Sequence, residues 1–343
     1  MSGLCGWSVV CLAGVLPVAA GEFSMRFADE AGRPLDRVSA HVLLMKEDDP
    51  RADGMEDLRG LTKPDGLFRF EGRRQMTVLR AQGDRGGFYS VDLRAPLRFA
   101  RSGPDGAMSW TLTMPRKIKP VPLCAFRPWL ARGNGQFRRG AWIAYDLQVG
   151  SPLPPFGRGQ VEDFRFQVTA IMTGWNAPQA YVEEQRRLAP AKDWDEETIR
   201  DVYGVWQAEL RLAFPHPQAG ILRTAQFWPY ARLKMPHAAP PTGYRPEYQA
   251  SQVSDRPADE AEDEVGYWLR TRVKADDAGK IIEAHYAKIV GPLRFTQATF
   301  GFTYYFNPTA SERNLEFDPR RNLLRPPADA TGEQLSAYQV DDP

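Results

Sequence analysis

The chain has 343 residues, with 44 Lys+Arg against 43 Asp+Glu for a net charge of +1, and 43% of its residues are hydrophobic. That length suffices for two domains and for burying roughly 70% of the surface of the unfolded chain. The near-zero charge supplies no field to hold nucleic acid or an anionic membrane. With 29 Gly, 29 Pro, 9 Trp, 12 Tyr and 18 Phe, many short strands joined by tight turns fit better than a helical bundle.

Residues 1–20 form an uncharged apolar stretch ending in Val18, Ala19 and Ala20, as a secretory h-region and its cleavage site do. Pro17 and the short length argue against a membrane span. Neither Cys5 nor Cys11 follows the small residue that a lipid-acylation site needs, so the reading is a signal peptide and export to the periplasm or the extracellular space. Cleavage after Ala20 would leave one cysteine, Cys124, too few for an intramolecular disulfide. Its apolar surroundings at 121–126 suit an inert buried thiol.

Asp29, Gly32 and Pro34 mark a turn, after which Val38, Ala40, Val42 and Leu44 alternate as a strand. A second turn, Thr62-Lys63-Pro64-Asp65-Gly66, leads into Leu67, Phe68, Arg69 and Phe70. Gly87, Phe88 and Tyr89 follow. Over residues 25–115 this pattern resembles the carboxypeptidase regulatory-like family of transthyretin-type sandwiches. The resemblance implies a seven-stranded Greek-key, prealbumin/Ig-like sandwich over 21–115, with no catalytic residues. The polar, acidic segment 46–56 departs from the family pattern and reads as a long inter-strand loop.

Prolines 115, 120 and 122 interrupt ladder pairing, so 114–126 reads as a linker that becomes an edge strand. Apolar or alternating runs at 142–149, 164–172, 206–214, 221–228, 267–274, 281–290 and 293–306 predict a larger β-sandwich or jelly-roll-like domain over 116–325. In the hairpin around 276–279, period two places Trp268, Arg270, Arg272 and Lys274 on one face and Tyr267, Leu269, Thr271 and Val273 on the other. The Asp276-Asp277 pair lacks the ligand offsets of a calcium loop and reads as a plain turn. One helix is expected at 194–205, capped by Asp193 or Asp195. Residues 251–264 read as a mobile acidic loop and 326–343 as a frayed polar tail.

Hydrolytic or metal chemistry needs convergent ligands or bases, and His41, His216, His237 and His285 are not spaced as a metal pair. No nucleophile elbow, zinc-protease, Walker or dinucleotide signature occurs. The glycine-rich stretch 156–160 opens no helix, so it reads as a tight loop rather than a phosphate cradle. No catalytic residue, metal or cofactor is assigned.

The densest polar cluster holds Tyr304, Tyr305, Asn307, Arg313, Asn314, Glu316 and Asp318, followed by Arg320, Arg321 and Asn322. It supports two readings. In one, the tyrosine rings are stacking platforms for a ligand and the polar side chains are hydroxyl partners. In the other, a strand, an Asx turn at Asn307-Pro308 and a return segment pinned by salt bridges make a structural clasp. Together with 119–123, 144–147 and 155–159, this region also resembles exported bacterial β-rich proteins to which no activity is attached.

The leading functional reading is an exported, non-catalytic binding or envelope-associated protein whose partner is a glycan or a surface protein. One alternative is a glycan-active hydrolase using two of Glu162, Asp163, Glu283, Glu316 and Asp318, which would have to stand about 5 Å or about 6.5–9.5 Å apart. The other is a structural subunit that assembles through an edge strand.

Overall fold

The computed structural model describes residues 21–46, 55–72, 76–94, 97–98, 108–253, 264–340 and 342. The expected leader at 1–20, most of the 46–56 loop and most of the 251–264 loop lie outside the described residues. The chain is all-β and divides into two compact units, Met1–Arg116 and Lys117–Pro343.

The first unit carries β1 (Gly21–Ala28), β2 (Ser39–Lys46), β3 (Met55–Leu61), β4 (Leu67–Gly72), β5 (Met76–Asp84), β6 (Val91–Leu93), β7 (Leu97–Arg98) and β8 (Met108–Thr113). They form two sheets, β4-β1-β8 and β3-β2-β5-β6, with β7 also paired to β5. β8 runs parallel to β1. Alternation decides the burial: Val38, Ala40, Val42 and Leu44 of the β2 run are at most 1% exposed, as are Met25 and Phe27 of β1. The two turns of the sequence pattern lie side by side. Phe27 N–H donates to Gly66 O and Leu35 N–H to Phe27 O. Gly66 has φ +74°, and a Cβ there would lie 2.7 Å from Phe27 O, so both conformation and space require glycine.

The second unit contains β9 (Cys124–Phe126), β10 (Trp129–Ala131), β11 (Ile143–Asp146), β12 (Ser151–Pro152), β13 (Phe164–Trp175), α1 (Gln179–Leu188), α2 (Glu196–Tyr203), β14 (Gly204–Ala213), β15 (Gly220–Arg223), β16 (Glu247–Val253), β17 (Gly266–Ala275), β18 (Ile281–Val290), β19 (Arg294–Phe295), β20 (Thr299–Gly301), β21 (Tyr304–Asn307) and α3 (Gly332–Ser336). One sheet runs β12-β11-β13-β14-β16, the other β15-β17-β18-β21-β9, and a small third sheet runs β10-β20-β19. The large sheets share a core built on Tyr145, Phe164, Phe166, Leu210, Leu269, Ile289, Phe300, Tyr304 and Phe306. Between Phe164, Leu212, Phe214, Leu269, Ile289, Leu293 and Phe300 no space remains for a water molecule. Close packing of this kind excludes a ligand cavity at that place.

The β15-β17-β18-β21-β9 sheet also has a second buried face, where Leu123, Met235, Trp268, Tyr305, Leu315, Phe317 and Val340 pack together. Strands covered on both sides lose the in–out alternation. Accordingly 266–271 and 284–289 are buried without a break.

Several expectations need correction. The run 221–228 is strand only to Arg223, and 293–306 is cut into β19, β20 and β21. Helix α2 begins one residue after Asp195, whose side chain accepts from Thr198 N–H, but α1 was not anticipated. The tail is packed rather than frayed: Tyr338 lies 4.6 Å from Phe126 between ring centroids and Val340 is 4% exposed. Arg270 and Arg272 do not share a face. Register shifts between Thr271 and Lys274, and this bulge, with Arg272 at φ +49°, re-aims the side chain.

Candidate functional site

Tyr304 and Tyr305 are 0% and 1% exposed. Tyr304 Oη donates to Leu147 O at 2.7 Å, and the Tyr305 ring meets Phe317 edge-on at 5.3 Å. Neither ring offers a face to solvent, because β21 sits between two packed layers. Stacking of a ligand on these tyrosines is thus removed from the site.

The polar members of the cluster turn inward to backbone. Asn307 accepts from Thr309 N–H, closing the Asx turn, and donates to Asn314 O. Arg313 donates to Ala239 O and Asn314 to Lys119 O. Glu316, 0% exposed, accepts from Ile118 N–H at 2.9 Å and Lys119 N–H at 2.6 Å, one on each oxygen. Asn322 makes a reciprocal pair with the N–H and C=O of Ala125. Asp318 accepts from Arg320 N–H and from Arg321 Nε, and the Arg321 hydrogen bond holds its carboxyl below the usual range. The return segment is pinned mostly by carboxylate and amide bonds to backbone; salt bridges have a minor share.

The other candidate carboxylates are likewise engaged. Glu162 faces Arg165 at 3.9 Å, and Glu283 lies 3.0 Å from Lys274 Nζ and 3.9 Å from His285 Nε2. Asp163, 0% exposed, accepts from Leu147 N–H and from a two-point Arg272 fork. Arg272 also reaches Asp146 at 3.0 Å and lies over the Phe306 ring. Asp146 accepts in addition from the N–H groups of Gln148, Val149, Gln160 and Val161. The glycine-rich loop at 156–160 therefore turns its N–H groups onto side chains of its own protein, Gln160 N–H onto Asp146 and Arg158 N–H onto Ser151 Oγ. A Cβ on Gly157 or Gly159 would come within 2.4 Å of Pro152 O or 2.6 Å of Ser151 O. Burial works against the Arg272 charge, but the two carboxylates outweigh it and hold its pKa above the ordinary arginine value.

Asp146 and Arg272 are the members of this centre that sequence reasoning missed. The Asx spacing of Asp146 to Gln148 was available as a signal; the bulge at Arg272 was not.

Lys288 occupies the second buried face. It is 0% exposed, paired in register with Trp268 and Tyr305, and its Nζ lies 4.8 Å from the Tyr305 ring centroid. Burial pulls its pKa down to about 7, with Glu316 and Asp342 opposing. Cys124 is 3% exposed and burial pushes its thiol up to about 12, which leaves no thiolate for nucleophilic work at neutral pH. His285 stacks on Phe306, and burial lowers its pKa. Among the described residues no three His, Cys, Asp or Glu side chains converge as a metal site.

No protein-family model matches the chain and no curated relative is recognisable by sequence. Partial likenesses to solved structures exist. The shaft pilin SpaA from Lactobacillus rhamnosus GG is 11% identical over 36% of this chain and 60% of its own, with a TM-score of 0.22. The 3-chlorocatechol 1,2-dioxygenase from Rhodococcus opacus 1CP is 12% identical over 29% of this chain and 60% of its own, at 0.21. BcpA, the major pilin subunit of Bacillus cereus, is 9% identical over 83% of this chain and 95% of its own, at 0.22. The chain thus matches about 60% of the length of the first two. At such TM-scores none of these likenesses carries an argument about function.

Proposed function

We propose that the chain is an exported, non-catalytic envelope or surface protein, built to keep its shape and to meet a glycan or a surface protein through its exterior. The observation that supports this reading is the commitment of the candidate carboxylates to partners within the fold. A glycosidase needs one carboxyl free to give a proton and a second free to attack or to activate water. Here Glu316 is held by two backbone N–H groups and Asp163 by Arg272 and Leu147 N–H. The test is a screen of purified protein on a panel of glycan substrates. Hydrolysis by the wild type that is abolished in a folded Glu283→Gln variant would overturn the reading.

A second reading, assembly through an edge strand, is favoured by β16. It is the outer strand of its sheet, and from Tyr248 to Val253 it carries no charge and no proline, the usual protections of an edge. Sedimentation of the full chain against a Ser251→Lys variant would test it. A monomer in both cases excludes pairing of two copies through this edge.

A further inference from the structure

Among the described residues, Lys288 combines full burial with a side-chain nitrogen that has no hydrogen-bond partner. Its flanking rings, Trp268 and Tyr305, belong to a packed layer that also holds Phe317 of the return segment and Val340. The ionisable groups of this layer include Tyr305 on β21, Tyr286 on its own strand, Arg270 opposite Tyr286 on β17, Tyr244 of the 224–245 segment against both, Glu316 and Asp342.

The two covers of this layer are held very differently. The return segment is tied through Glu316, Asn314, Arg313 and Asn322, and by Leu315 N–H to His237 O and Ser311 N–H to Ala284 O. Residues 337–340 are held by Arg127 N–H to Ala337 O, the Tyr338–Phe126 contact and the burial of Val340, while Tyr338 N–H to Leu335 O and Gln339 N–H to Ser336 O tie them only to the adjacent α3 turn. Arg232 and Asp342 add an ion pair at 3.5 Å with both side chains about half exposed, which contributes little.

We propose that residues 337–340 form a proton-sensitive strap over Lys288, in which protonation of this amine favours the state with the strap lifted and Nζ hydrated. The balance is simple: one proton comes from solvent, and the ammonium is exposed to solvent once the strap is lifted. A charged amine among apolar rings is costly, and the cover that opens at least cost relieves it. Because the amine titrates near 7 when enclosed and near 10.5 in water, the strap loosens as pH falls from 10.5 to 7 and changes little below 7.

The test is cysteine-labelling kinetics on the full chain carrying Val340→Cys, with Cys5 and Cys11 replaced and the buried Cys124 kept as an internal reference. The probe is methyl methanethiosulfonate, sites are resolved by mass spectrometry, and rates are corrected for the thiolate fraction of a model peptide. The expected result is an opening constant at the introduced thiol that rises by up to about 50-fold from pH 9 to pH 7, with Cys124 unchanged. In a Lys288→Met background the rise disappears. A pH-independent opening constant at the introduced thiol, a rise that persists in Lys288→Met, or a parallel rise at Cys124 would each overturn the proposal.

Discussion

Arg272 Nε stands 2.8 Å from Asp163 Oδ1 and its Nη2 2.9 Å from Asp163 Oδ2. The fork joins a bulge in β17 to the start of β13, and the same guanidinium reaches Asp146 at the end of β11. One side chain thereby clamps both large sheets of the second unit. Neutralising Asp163 breaks the two-point fork and leaves the buried Arg272 with Asp146 alone to balance it, so Asp163→Asn should destabilise by up to about 3–5 kcal/mol. Arg272→Lys should also destabilise, since an ammonium cannot make the fork. For a closed cycle the single changes are Asp163→Leu and Arg272→Met, and the double variant carrying both should lose less than the two together. Urea denaturation of the four proteins gives the coupling; full additivity would mean that the pair contributes nothing as a pair.

In the first unit Gly83 faces Phe27. A Cβ there would lie 2.3 Å from Phe27 Cε1 and 3.1 Å from Val38 Cγ1. Gly83→Ala should therefore overpack the core and cost about 1–3 kcal/mol. Phe68, 9% exposed on β4, should cost about 3–5 kcal/mol as Phe68→Ala. A loss below about 1 kcal/mol at Phe68 would contradict its packing against Phe70 and Gly60.

The runs around β2 and β4 were legible because buried positions alternate there with more exposed ones. Val38 to Leu44 alternates, and alternation is visible in sequence. Tyr304 and Tyr305 show where that logic stops. Adjacent residues on a strand point to opposite sides, so one of the two was expected at the surface, but a second layer made of 224–245 and 308–340 covers the far side. Nothing local to β21 announces that layer. Helix α1 was hidden for a different reason: Pro178 precedes it and no side chain caps it, so it lacks the start signal that Asp195 gives α2. The polar cluster was recognisable as residue types, and its partners, backbone groups some 200 positions away such as Ile118 and Ala125, were not.

Lys288 makes stability depend on pH in a direction opposite to that of a paired lysine. Its pKa is depressed in the fold to about 7 from 10.5, so the folded state binds fewer protons between those values. Stability therefore rises with pH across 7 to 10.5. Lys288→Met, similar in length and unable to titrate, should remove that rise and stabilise the protein near pH 7 by up to roughly 4 kcal/mol. If the strap lifts before the unit unfolds, the gain will be capped at the cost of lifting it. Melting curves of both proteins at pH 7, 8 and 9 measure the difference. Parallel pH profiles would show that Lys288 is charged in the folded state.

The clasp and ligand readings of the 304–322 region separate at Glu316. Its carboxylate occupies two backbone N–H groups at the start of the second unit, and a carboxylate accepting such bonds is a strong acceptor that a neutral amide replaces poorly. Glu316→Gln keeps the volume but turns an NH2 toward one of the two donors, leaving that N–H unsatisfied at a cost of about 1–3 kcal/mol. For a unit of this size the melting temperature should fall by about 2–4 °C per kcal/mol. Tyr305→Ala should be worse, since it removes a ring packed on Phe317 and over Lys288, with a loss near the 3–5 kcal/mol typical of large core aromatics. A surface stacking residue would behave in the opposite way, leaving stability intact while binding weakens by about 1–3 kcal/mol. A glycan array probed with wild type and Tyr305→Ala, read beside their melting curves, decides between them. Unchanged melting with lost glycan signal would restore the ligand patch and overturn the buried placement of β21.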